Sequence, residues 1–135
     1  MRLKSRHIFQ HEGGQNLVEF ALVLPILLLI ILGIVEFSWA WLQTNTATSA
    51  AREAARVAAV TASPYSTAVA EARARTVLQN AGIDSGTATV TITVPDAVTK
   101  QITVTVQFQY NSITGFIPGL NGITLRGETS IRWEG

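Results

Sequence analysis

An apolar stretch of membrane length, opened by one acidic residue, constrains this chain more than anything else in it. The stretch reads Phe20-Ala-Leu-Val-Leu-Pro-Ile-Leu-Leu-Leu-Ile-Ile-Leu-Gly-Ile-Val35, runs on through Glu36 and Ser38, and closes with the interface-type aromatics Trp39 and Trp41. From Leu17 to Leu42 there is room for one helical crossing, which needs roughly 20 residues at about 1.5 Å rise each. We assign residues 15–42 to a transmembrane helix. Arg2, Lys4 and Arg6 precede it, and the charges that follow are of mixed sign, which predicts a cytoplasmic N-terminus and an exported remainder. A secretory signal has a shorter apolar region, about 7 to 15 residues, and a small-residue cleavage site at its end. Here the small-residue candidates, Ala47 to Ala51, lie well past the tryptophans.

Glu19 stands at the inner rim of the span, just after a basic leader that ends in Gly13-Gly14. A carboxylate at that depth is costly and is by default a functional residue in need of a partner. Its bland reading is a headgroup-level acid that favours the positive end of the helix dipole. Pro25 removes a backbone donor inside the apolar helix, which membrane helices tolerate better than soluble ones. Glu36, at the outer end, reads as an interfacial carboxylate reaching water, or as a partner for another subunit or for Arg52 or Arg56 of a staggered neighbour.

These residues carry a resemblance. The leader ending at Gly14, Val18-Glu-Phe-Ala-Leu-Val-Leu-Pro25, Gly33-Ile-Val-Glu-Phe37 and Ala51-Arg-Glu-Ala-Ala-Arg56 together resemble the TadE-like pseudopilins of tight-adherence (Tad, Flp, type IVc) pilus systems. The resemblance is sharpest from Gly14 to Val60. It implies a 1–14 prepilin-type leader, cut after Gly14 by a prepilin peptidase so that Gln15 becomes the new N-terminus and Glu19 the fifth residue of the mature chain. The ammonium at Gln15 would then lie one helical turn from the Glu19 carboxylate, and opposite charges attract far more strongly in hydrocarbon than in water. In a filament the amine can equally come from a neighbour. Pro25 is, on the same resemblance, a point where the helix melts on entering a filament; a simple kink is the alternative. Implied partners are the prepilin peptidase, other pseudopilins, the pilus assembly platform and the lipid bilayer. The implied role is pilus assembly, and through it adhesion and biofilm formation, from the bacterial inner membrane. Flp major pilins are shorter and almost all helix, so an added αβ domain points to the minor class; TadF and TadG relatives share the same start.

Residues 43–135 are enough for one small domain and not for two. Gln43 to Thr61 is Ala-rich, free of Gly and Pro, and predicts a continuing helix to about residue 62, with Arg52 and Arg56 on a solvated or inter-subunit face. Ser63-Pro64 reads as a cap and first turn of a second helix over 64–81, ended by Gly82, with Ala68, Val69, Ala72, Val77 and Leu78 as its apolar stripe. The period then changes to two. Strands are predicted at about 87–94, 101–110 and 123–133, a three-stranded antiparallel meander against the helices, so the fold class is α+β and pilin-like. The 111–122 loop, with Ile113, Phe116, Ile117 and Leu120, is more apolar than a connection needs; it either covers the core edge or forms a contact surface.

The chain carries a net charge of +1, has no cysteine, and places both histidines, His7 and His11, in the leader. That leaves no electrostatic footprint for nucleic acid, no thiol chemistry, and no spacing that suggests a metal, cofactor or small-molecule substrate. An enzyme is not expected. The runner-up to a pseudopilin is an uncleaved, single-pass envelope scaffold whose exported sheet docks other proteins.

Overall fold

A computed structural model describes residues 12–61, 66–93 and 98–133. The helix α1 (Glu12–Ala59) runs for 48 residues, about 72 Å at the usual rise. It passes through Pro25 as one helical element. Hydroxyl residues that are poor helix formers are accommodated by bonding back one turn: Ser38 to the Ile34 carbonyl (2.8 Å), Thr44 to Ala40 (2.9 Å) and Thr48 to Thr44 (3.1 Å).

The two halves of α1 live differently. From Leu17 to Val35 its large apolar side chains stand exposed, whereas beyond Glu36 one face is buried and built almost wholly of alanine. Ala47, Ala50, Ala51, Ala54, Ala55 and Ala58 are all essentially inaccessible. Side chains that short let other elements approach the helix backbone closely.

One of these is α2 (Ala68–Asn80), which meets α1 through Ala70, Ala74 and Leu78. The stripe expected from sequence is therefore corrected, since Val69 and Ala72 face outward. A surface of alanines leaves room for further alanines and not for β-branched valine. The helix also starts later than expected, at Ala68 behind Ser66 and Thr67; the Ser63-Pro64 cap lies outside the described residues. Its end is a Schellman motif. Gly82 takes φ +74°, its N–H donates to the Gln79 carbonyl (3.0 Å), and the Ile83 N–H donates to Leu78 (3.0 Å).

The sheet has the order β1-β2-β3, with β1 (Thr89–Ile92), β2 (Gln101–Gln109) and β3 (Thr124–Arg132) all antiparallel. The α+β architecture expected from the sequence is thus the one observed. Strict alternation buries Ile102, Val104, Val106 and Phe108 of β2 against the helices and turns Thr and Gln outward. On β3 the inward set is Leu125, Gly127, Thr129 and Ile131, with Arg126, Glu128 and Arg132 outside. At Gly127 strand and helix backbones meet closely: a Cβ built there would lie 2.3 Å from the backbone of Ala47 and Thr48. The far end is fastened by Trp133, whose indole N–H donates to the Thr61 carbonyl (3.1 Å) and whose amide donates to Lys100 (2.7 Å).

Register then sets which end faces which way. β3 reaches Ala47 of α1 with Gly127 and Thr61 with Trp133, so it runs in the same direction as the helix. The β2–β3 loop consequently lies at the end of the domain nearest the exposed apolar helix, and the β1–β2 connection, with Lys100, lies at the opposite end.

Candidate functional site

The junction between bare helix and folded domain is organised around one carboxylate. Glu36 sits on α1 immediately after the exposed Leu17–Val35 stretch, and it is only 1% accessible. The chain returns to it at the end of β2. Thr114 donates to one carboxylate oxygen through both its main-chain N–H and its hydroxyl (2.6 Å each), and the Ser112 hydroxyl donates to the same oxygen (2.7 Å). The Tyr110 hydroxyl donates to the other oxygen and lies 3.2 Å from the Glu36 carbonyl. Four donors match the acceptor capacity of an ionised carboxylate. Burial, and next the bond to Glu36, push the Tyr110 phenol up to about 12, so it remains a donor at neutral pH.

The loop that supplies these groups is itself braced. Asn121 accepts from the Ser112 N–H (2.7 Å), Ser112 accepts from the Gly115 N–H (2.8 Å), and the Gly122 N–H donates to the Tyr110 carbonyl (3.1 Å). Gly115, Gly119 and Gly122 all take positive φ, the conformation that lets so short a segment turn repeatedly. Between loop and helix remains a cavity of about 300 Å³, walled by Gly33, Phe37 and Ala40 of α1 and by Ile117, Leu120 and Ile123.

This alters the reading of Glu36. A carboxylate reaching water was expected; the carboxylate is instead enclosed by its own chain. Tyr110, Ser112 and Thr114 were not singled out from sequence. The signal available was the pairing of a costly acid on an apolar helix with hydroxyl residues inside an otherwise apolar loop.

The remaining predicted positions are not gathered into that site. Gly14, Gln15 and Glu19 lie at the opposite end of the apolar stretch, on one exposed face with Val18 and Leu22. Pro25 lies within that stretch. Arg52 and Arg56 are exposed on the outer part of α1; Arg56 pairs loosely with Glu53 (3.8 Å), which also meets Arg73 of α2 (3.4 Å). Such exposed pairs contribute little. Among the described residues no group of three His, Cys, Asp or Glu is placed to hold a metal.

Among the described residues α1 is the one helix long and apolar enough to cross a membrane. Comparison with known proteins adds one finding. Residues 14–56, from Gly14 to Arg56, match the model of the TadE-like protein family. The match takes in Glu19, Pro25 and Glu36 and stops before α2 and the sheet, so the loop that encloses Glu36 lies outside it. No curated protein and no solved structure matches the chain.

Proposed function

We propose, from the premise that residues 14–56 are a TadE-like segment, that this protein is a minor pseudopilin taking part in the assembly of Tad/Flp-type pili, and so in surface adhesion and biofilm formation. It is anchored by residues 15–42 in the bacterial inner membrane, with its N-terminus cytoplasmic and its αβ domain outside. Its partners are the prepilin peptidase, other pseudopilins and the assembly platform.

The observation that carries this reading is the coincidence at Gly14. The family match begins there, a basic leader ends there, and Glu19 follows one turn beyond the next residue. The local physics is favourable to cutting. Gly13 and Gly14 fall in the first turns of α1, where each glycine costs about 1 kcal/mol of helix relative to alanine. A peptidase that needs an extended substrate therefore meets the cheapest part of the helix to unwind. The cut leaves an ammonium on Gln15, facing Glu19 across one turn, and the charge that was expensive alone becomes half of a pair.

Glu36 has a mechanical part in this reading. By bonding to the 110–114 loop it fixes the height and rotation of the domain relative to the span, so that a pull on either is transmitted to the other.

The test is the N-terminal residue and intact mass of the protein from membranes of cells with and without the prepilin peptidase. A form beginning at Gln15 only when the peptidase is present is the expected result. An intact leader in both would leave a permanently anchored envelope scaffold.

A further inference from the structure

The β2–β3 loop carries an unexplained apolar surface. Ile113 is 56% and Phe116 67% exposed, and on α1 Phe37, which walls the cavity with Ile117 and Leu120, is 70% and Trp41 62% exposed, the two stacked with ring centroids 6.3 Å apart. From Gln101 to Leu125 the chain has no charged side chain; Arg126, Glu128 and Arg132 lie on the outer face of β3, Lys100 at the other end of the sheet, and Asp84 flanks the cleft between Trp39 and Ile113. The loop itself therefore presents an uncharged and largely apolar surface.

We infer that this loop lies in the outer-leaflet interface of the membrane, with Ile113 and Phe116 in contact with lipid and the groove behind the loop filled by acyl chain. The inference rests on α1 crossing the membrane and adds to it the depth at which the domain sits. Continuity with the span argues for lipid as the occupant. Leu17 to Val35 amounts to about 28 Å of helix, close to the roughly 30 Å of a hydrocarbon core. Glu36, the next residue, is bonded to Ser112 and Thr114, so the loop is tethered at the level where hydrocarbon ends. It cannot ride higher without breaking that tether. Tryptophans at 39 and 41 are of the type that sits among headgroups, and the groove is walled by apolar side chains of both α1 and the loop. Surfaces of this kind bury their apolar side about 5–10 Å into the headgroup and acyl boundary.

The chain has no cysteine, which makes the test direct. Single nitroxide labels are placed by Phe116→Cys and Ile113→Cys in the full-length protein, in phospholipid nanodiscs holding one chain each. Leu28→Cys is the reference within the span and Arg132→Cys the reference at the far end of the sheet. Relaxation by oxygen, which partitions into lipid, is compared with relaxation by a water-soluble nickel chelate. The expected ratio of oxygen to chelate accessibility at 113 and 116 is several-fold higher than at 132 and below that at 28. Labels at 113 and 116 that match 132 while 28 reports lipid would overturn the inference and leave the span intact; a loop made for a protein partner or a second copy gives that pattern. If 28 also matches 132, the span itself is wrong.

Discussion

Glu36 shows how much a single side chain can organise when it has nowhere else to go. Both its oxygens are taken by Tyr110, Ser112 and Thr114, so Glu36→Ala removes the acceptor for a whole turn of loop. The expected outcome is loss of hydrogen-exchange protection at the Thr114 amide, with β2 protection largely retained. Tyr110 gives a pH test. Its folded-state value of about 12 lies above the ordinary 10, so the folded chain holds that proton longer than the unfolded one does. Its contribution to stability is whole below pH ~10 and is lost as pH rises from ~10 to ~12. An alkaline tyrosinate titration should show a late-titrating phenol that Tyr110→Phe removes. From the sequence, Glu36 was recognisable as a residue in need of a partner. The partner was not recognisable, because 74 to 78 residues separate it from its donors and spacing says nothing about contacts at that range. Gly127 is a similar case. A glycine inside an alternating strand signals close approach of another backbone, but which backbone emerges only from the packing.

Among the elements, α1 and the three strands were legible because long apolar periodicities leave few alternatives. α2 was less so: in a helix rich in alanine the pattern allows more than one buried face, and the choice was made by the alanine surface of α1. That surface predicts its own sensitivity. Gly127→Ala forces a methyl group into the α1 backbone and is expected to destabilise the domain by about 1–3 kcal/mol, or to displace β3, as read by chemical denaturation in micelles. Gly82→Ala must hold an L-residue at φ +74° and should cost about 1–2 kcal/mol with no change of packing. At the start of α1, replacing Gly14 by a bulky residue should block processing, read by intact mass. Glu19→Ala should allow or slow cutting but impair pilus formation; if both proceed unchanged, the pairing with the Gln15 amine is wrong.

At the scale of the whole molecule, the domain's cover of α1 begins at Glu36, inside the 15–42 segment assigned to the span. Sequence alone does not mark that point, since helix continuity hides where a second element begins to cover it. The domain's own cover begins earlier, with Glu36, Ala40 and Gln43 all turned toward it. Two fragments separate these boundaries. One beginning at Glu36 retains the acceptor and should keep the 110–114 amides protected in detergent; one beginning at Gln43 should lose that protection while the β2–β3 pairing persists.

The same long-range bonds impose a timetable. α1 leaves the ribosome before α2 and the sheet, and its second half is the surface on which they are built. Glu36 stays without its donors until Thr114, 78 residues later, has been made, and Thr61 waits for Trp133, 72 residues beyond it. One face of the helix must therefore stay bare until then, and the domain can close only once the third strand arrives.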